Sequence, residues 1–315
     1  MTEPAIDVRD LHKRYDDLQA VAGVSFTVSP GEVFCLLGPN GAGKSTTTEI
    51  LEGHRLADSG HVRVLGHDPA ASERSLRERI GVVLQAGGIQ EELTIAELVE
   101  MYGRWYERPR PVDELIDLVQ LDARRDTRAG DLSGGQRRRL DLALGLVGDP
   151  DLLFLDEPTT GFDPHARRQA WSTIRALCGL GKTVFLTTHF MDEAQYLADR
   201  IAVMVGGRLV AEGSPESIGG RDALPTEIRF TLPAGAGLGG LPDLPGGSTT
   251  TVRDAGDGAV HVTTQAGLAV THAITGWALD AGVAIGQLSV AQPTLEDVYL
   301  RLTEQPADTT QEVPS

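Results

Sequence analysis

The sequence predicts an α/β fold: a central, mostly parallel sheet with helices around it, followed by a small α+β domain. Three observations predict it. Strand-like and helix-like stretches alternate from about residue 6 to residue 212, the pattern of a parallel sheet with helical crossovers. A Gly-rich segment, Gly38-Pro39-Asn40-Gly41-Ala42-Gly43-Lys44-Ser45, lies between an apolar run from Val33 to Leu37 and a helical pattern from Ser45 to Leu51. The texture then changes near Gly213, and Gly219-Gly220 with the Gly/Pro-rich stretch 233–247 reads as linker or loop. The expected boundaries are 1–218 for the large domain, 219–304 for the small one, and 305–315 for a polar, disordered tail.

The elements follow in order. Short apolar runs at 24–28, 33–37, 62–65, 80–84, 152–155, 183–187 and 201–205 read as strands. Residues 94–104, 111–119 and 134–147 carry helical periodicity with no strand between them, so a helical subdomain is expected at about 88–148. Past Glu227 the elements are smaller. Runs at 227–231, 249–253 and 259–263 read as strands, with Asp254-Ala255-Gly256-Asp257-Gly258 as a hairpin turn. A helix at 268–280, a strand at 284–290 and a helix at 294–302 complete the small domain.

Composition narrows the partners. The formal charge is −17, from 28 basic and 45 acidic residues, which argues against a broad nucleic-acid surface. From Arg221 onward there are four basic and eleven acidic residues and no lysine. No apolar run approaches the ~18 residues needed to span a bilayer. The first ten residues carry acids and no apolar stretch, so no secretory signal is expected. The two cysteines, Cys35 and Cys178, lie in apolar segments without metal-ligand spacing and are expected to be reduced core residues.

Three motifs carry chemistry. Residues 38–45 have the spacing Gly, four residues, Gly-Lys-Ser, a phosphate-binding loop that implies a nucleoside triphosphate. Glycines let the backbone curl so that several N–H groups converge on one anion at a helix N-terminus. Lys44 adds a charge for the outer phosphates, and Ser45 a hydroxyl for Mg²⁺. Only three lysines occur, Lys13, Lys44 and Lys182, so a lysine at the required place is informative. Second, Leu152-Leu153-Phe154-Leu155 leads into Asp156-Glu157. A carboxylate at this strand end can hold Mg²⁺, and the next acid can orient and polarise a water facing the γ-phosphate. Third, Leu132-Ser133-Gly134-Gly135-Gln136 places an N-cap serine before a helix, which makes a second anion-binding helix end.

In combination these motifs resemble the ATP-binding subunit of an ABC transporter, over residues 5–215 or so. The resemblance implies a P-loop ATPase fold with an antiparallel edge sheet and a helical subdomain, with ATP and Mg²⁺ as ligands. It places the triphosphate on Gly38 through Ser45 and on Thr46, and adenine against Tyr15. Gln85 would touch Mg²⁺ or the attacking water, beside Ser45 and Asp156 as metal ligands, while its loop faces a membrane subunit. His189 falls at the spacing of the family's switch histidine, holding the γ-phosphate and orienting Glu157. Asp163, in Gly161-Phe162-Asp163, belongs to a loop that crosses to a second subunit; Phe162 stands where relatives usually have Leu.

One chain carries one copy of each element, so the resemblance implies a homodimer. In it, Ser133, Gly134, Gly135 and Gln136 of each copy close over ATP held by the other. It also implies a separate permease, docked near 85–88 and the helical insert, and a place on the cytoplasmic face of the cell membrane. The segment Pro293-Thr294-Leu295-Glu296-Asp297-Val298-Tyr299-Leu300-Arg301-Leu302-Thr303 is similar to the closing motif of bacterial daunorubicin-type drug-resistance exporters. That points to export of a drug, antibiotic or lipid-like cargo.

Two alternatives belong to other classes. A soluble ABC ATPase of DNA repair or chromosome organisation would insert coiled coils or zinc modules, and neither heptads nor paired cysteines are present. A translation-associated ABC protein would carry two cassettes and basic linkers. An importer motor stays open within the first class. Cargo is not legible, since its path lies mainly in the permease.

Overall fold

The computed structural model describes residues 3–83, 88–179, 181–233 and 236–304, apart from the side chains of His165 and Glu304. Gln85, Leu84 at the end of the expected strand 80–84, and the tail 305–315 lie outside the described residues. The chain divides into two compact units, Met1–Pro215 and Glu216–Ser315.

In the first unit, β1 (Ile6–Tyr15), β2 (Leu18–Val28), β3 (Val33–Leu37), α1 (Lys44–Leu51) and β4 (Ser59–Val64) come first. Strands β2-β1-β4 form an antiparallel three-stranded sheet. β1 was not among the strands expected from sequence, and its register explains why. Asp10 sits at φ 50°, and the ladder slips between Val8 and Leu11. Buried residues therefore fall three apart there, and the period-2 signal is lost. β4 ends at Val64 rather than at 65, because Leu65 turns to φ 49°.

The short helix α2 (Arg74–Arg77) and β5 (Ile80–Val83) lead to the helical insert, α3 (Ile95–Gly103), α4 (Val112–Leu118) and α5 (Gly134–Leu146). Thr94 opens α3 with a capping box: Glu97 N donates to Thr94 Oγ1 at 3.3 Å, and Thr94 N to Glu97 Oε2 at 2.8 Å. Then come β6 (Leu152–Asp156), α6 (Pro164–Gly179), β7 (Thr183–Thr188), α7 (Met191–Leu197), β8 (Arg200–Val205) and β9 (Arg208–Gly213). The second sheet has the order β5-β6-β7-β3-β8-β9, parallel except for the β8–β9 pair. β9 alternates exposed and half-buried residues at the sheet edge, too polar to announce itself in the sequence.

Every residue of β3 and β7 is buried, as expected for strands covered on both faces. The core joins the two sheets. Phe26 of β2 stacks on Phe34 of β3 with centroids 5.0 Å apart, and Phe34 on Phe185 of β7 at 5.8 Å. Burial pushes the Cys35 thiol up and the Cys178 thiol up to about 11, so neither is a reactive thiolate near neutral pH. β3, β6 and β7 point their C-terminal ends the same way, the edge where parallel sheets bind ligands.

The second unit is a four-stranded antiparallel sheet, built from β10 (Thr226–Thr231), β11 (Thr251–Gly256), β12 (Ala259–Thr264) and β13 (Gly286–Ala291) in the order β11-β12-β10-β13. Helix α8 (Gly267–Asp280) buries Val270 and Ile274 with Ile228, Phe230, Val260 and Val262. The hairpin turn is tighter than the sequence suggested: Asp257 (φ 52°) and Gly258 (φ 79°) turn the chain, and β11 runs on to Gly256. β11 starts at Thr251, after a 3₁₀ turn at Gly247–Thr249, and β13 starts at Gly286. Helix α9 (Leu295–Glu304) packs on the turn Ile218–Ala223, where a Cβ on Gly219 would meet Val298 Cγ1 at 2.5 Å. Among the described residues no helix is long and apolar enough to cross a membrane.

Candidate nucleotide site

The loop after β3 is shaped by backbone sterics. Gly43, at φ 104°, is the N-cap of α1, and a Cβ there would lie 2.2 Å from Ala20 O. A Cβ on Gly38 would lie 2.3 Å from Met204 O. No side chain can be added at either position without moving backbone. No side-chain acceptor caps α1, so its first N–H groups remain available to an anion. Lys44 is 5% exposed, and its Nζ donates to Gly38 O at 2.7 Å and Pro39 O at 3.2 Å. Burial holds its pKa below the ordinary lysine value, opposed by the charges of Glu157 and Asp156.

A cavity of about 410 Å³ is lined by Asn40, Gly41, Gly43, Lys44, Ser45 and Thr46, by Tyr15, Leu18 and Ala20, and by Asp156 and Glu157. It gathers Tyr15, six residues of the phosphate-loop segment and both acids singled out in the sequence. Tyr15, half-buried at the end of β1, carries the Arg55 guanidinium over its ring at 5.1 Å. Pro39 is exposed, while Ala42 is buried and Gly38 closes against Met204, so these three shape the loop from outside the cavity lining.

The acidic pair sits at the end of β6. Thr187 Oγ1 of β7 donates to Asp156 Oδ1, and Glu157 N donates to Thr187 O at 3.1 Å. Arg138 of α5 donates to Pro158 O and Asp156 O, both at 3.0 Å. Glu157 itself is at φ 45°, a costly conformation for a non-glycine residue. His189 Nδ1 lies 3.1 Å from Glu157 Oε1, Lys44 Nζ lies 3.8 Å from the same oxygen, and Thr160 Oγ1 donates to Oε2 at 3.1 Å. Burial pushes the Glu157 carboxyl up, but His189, Thr160 and Lys44 outweigh it and hold it below the ordinary glutamate value. Glu157 is therefore ionised at neutral pH. Thr187 and Arg138 were not singled out in the sequence; a threonine or arginine in a strand or helix carries no motif until the strand order places it beside the acids.

The Ser133 segment does not reach this cavity. Ser133, Gly134, Gly135 and Gln136 line a second one of about 570 Å³, with Gly161, Phe162 and Asp163. Gln136 N donates to Ser133 Oγ at 3.3 Å and Ser133 N to Gln136 Oε1 at 3.0 Å, a closed capping box. The Asp163 carboxylate accepts from Ala166 N at 3.0 Å, at the start of α6. Glu157 borders both cavities.

The donor set suits Mg²⁺ carried with a triphosphate. Ser45 and Asp156 offer hard oxygens, and no group of three or more His, Cys, Asp or Glu among the described residues could hold a metal alone. Mg²⁺ commonly takes one or two protein oxygens and completes its shell with phosphates and water.

At the other end of α1, Glu52 is 2% exposed at its side chain, with Oε2 3.2 Å from His54 Nδ1. Burial, with the charges of Asp156 and Glu49, raises its carboxyl from 4.5 to about 8. The neutral form is favoured in the fold, so the stability it confers is full below 4.5 and is lost as pH rises through about 8. Glu52→Gln removes this titration. Urea unfolding at pH 5 should show little difference from wild type, and at pH 8.5 the variant should be more stable by about 4 kcal/mol.

Comparison with known proteins agrees with this architecture. Residues 21–160 match the ABC transporter family, and residues 226–294 match the family described as ABC transporter domain-containing protein-like, C-terminal domain. The Nod factor export ATP-binding protein I of Rhizobium sp. (strain N33) is 45% identical over 223 residues, 69% of this chain and 73% of that protein. Its namesake from Burkholderia pseudomallei (strain K96243) is 44% identical over 223 residues, with the same coverage of 69% and 73%. Among solved structures, cbiO1 from Clostridium perfringens, part of the ABC transporter complex cbiONQ, is 29% identical with a TM-score of 0.62, covering 68% of this chain and 90% of that one. The ADP conformation of MJ1267, an ATP-binding cassette of an ABC transporter, is 26% identical with a TM-score of 0.60, covering 68% and 92%. By sequence, by fold and by the phosphate loop facing an acidic strand end, the chain belongs to the ABC transporter family, as one of its ATP-binding, ATP-hydrolysing subunits.

Proposed function

We propose that the chain is the motor of an exporter: two copies close on two Mg·ATP and drive a separate permease at the cytoplasmic face of the membrane. The observation that carries this is the separation of the two cavities. The Ser133 segment lines one and the phosphate loop the other, so each copy offers two half-sites that a symmetric pairing completes. Export is supported by the relatives, which are named for export of Nod factor.

Within each site, Tyr15 stacks on adenine, and Asn40 through Thr46 with Lys44 hold the phosphates. Ser45 and Asp156 hold Mg²⁺, whose charge offsets that on the phosphate oxygens. Ionised Glu157 accepts a proton from the attacking water, and His189 keeps Oε1 oriented. Ser133, Gly134, Gly135 and Gln136 of the other copy present their helix end to the γ-phosphate, with Asp163 crossing beside them.

The test is the molar mass of the purified chain by light scattering. It should double when Mg·ATP is added and return to the starting value after hydrolysis. A chain that keeps one mass and shows no triphosphate affinity refutes the proposal. Purification from membranes with a hydrophobic partner tests the permease, and recovery only in the partner-free fraction counts against it.

A further inference from the structure

We infer that Glu193 is a positioning residue for hydrolysis: it ties the loop that follows Glu157 to the strand end that carries His189, and so fixes the contact between them. The inference rests on the reading of Glu157 as the carboxylate that acts on water. Glu193 lies in the first turn of α7, four residues after His189, and is 0% exposed. It lines neither of the two cavities. Its Oε1 accepts from Thr159 Oγ1 at 2.7 Å and from Trp171 Nε1 at 3.0 Å. Thr159 is itself 0% exposed and stands two residues after Glu157. Trp171 belongs to α6, the helix that Asp163 caps.

One buried oxygen therefore fastens three pieces: the 157–163 loop, α6 and the turn after β7. Burial lifts the Glu193 carboxyl above the ordinary glutamate value, while bonds from Thr188, Thr159 and Trp171 and the Arg167 charge act against it. A buried carboxyl is costly, and one held by donors from separate elements is rigid as long as all of them are present. Glu157 needs such a brace. It sits at φ 45°, and His189 meets its Oε1 at 3.1 Å from a different strand. The Glu157 N–Thr187 O bond ties the two backbones at the strand ends, and the Thr159–Glu193 bond ties them a second time beyond the strand ends, on the far side of the His189–Glu157 contact in sequence.

Four variants test this in the full-length chain: Glu193→Ala, Thr159→Val, the double variant, and Glu193→Gln. Glu193→Ala should lower kcat about 10²-fold, the scale of a small misplacement of reacting groups. KM for ATP and the Kd of a fluorescent ATP analogue should stay within about twofold of wild type. Thr159→Val removes only the hydroxyl from the loop. It should lower kcat in the same way, and the double variant should be no worse than Glu193→Ala, because the two act as one unit. Glu193→Gln keeps the accepting oxygen and should recover most of kcat. Wild-type kcat in folded Glu193→Ala, additive losses in the double variant, or losses of kcat matched by equal losses of bound nucleotide would each overturn the inference. Should Glu193→Ala not fold, Thr159→Val alone decides, since it leaves Trp171 paired. Glu157→Gln is run alongside. If it turns over ATP, the assignment of Glu157 is what fails; if it is dead while the Glu193 and Thr159 variants are unaffected, only the positioning role fails.

Discussion

Glu157→Gln should bind ATP at least as tightly as the native chain and hydrolyse it about 10²–10⁴-fold more slowly, the range that a positioned general base contributes. The amide has nearly the shape of the carboxylate and can keep the contacts with Thr160 and His189. What it loses is the charge. The native carboxylate is held ionised because the His189 bond, Thr160 and Lys44 overcome its burial, so it can take a proton throughout the neutral range. For the same reason no loss of rate through Glu157 titration is expected above the ordinary value of 4.5. Binding survives because the triphosphate is gripped by the loop and Lys44, and an uncharged neighbour repels the γ-phosphate less than a carboxylate does. The variant should therefore collect as a long-lived dimer in Mg·ATP, visible by light scattering. Hydrolysis at the native rate would show that another group activates the water.

Much of this site could be read from the chain because its parts are contiguous. Residues 38–45 are one loop between a strand and a helix, and 152–157 are one strand with its end, so motif and local structure are the same thing. His189 and Tyr15 were legible only through resemblance; a lone histidine after a strand or a tyrosine at a strand end has no local signature. The residues that hold the site in shape were less legible still. Thr187, Arg138 and Glu193 act across strands and helices, and their partners are about 20 to 35 residues away along the chain. The fold shows the same division. Strands buried on both faces, such as β3 and β6, stood out as apolar runs, whereas β1 was hidden by the slip at Asp10 and β9 by its exposed edge. Local pattern reports what a segment buries, not which distant segment completes it.

Lys44→Ala should lose binding and turnover together, which sets it apart from Glu157→Gln. The Lys44 ammonium is the cation that faces the acids in the cavity, and it is already stripped of most of its water. It is held by two loop carbonyls, Gly38 O and Pro39 O, so the desolvation that a phosphate would demand has largely been met before ATP arrives. A charge-assisted hydrogen bond contributes about 1.5–3 kcal/mol, so Kd for ATP should rise by about 10- to 150-fold. The same change removes the cation that helps hold Glu157 ionised, which adds a loss in kcat to the loss in affinity. Lys44→Arg should not restore binding, because a planar fork cannot sit where a compact ammonium reaches two carbonyls of a tight loop. The fold should survive: a buried amine whose pKa is lowered by desolvation is a burden on stability, and alanine relieves it. Isothermal titration with ATP and thermal unfolding without it, on the same preparations, separate the two effects. Native affinity in a folded Lys44→Ala would mean that the loop amides alone anchor the triphosphate.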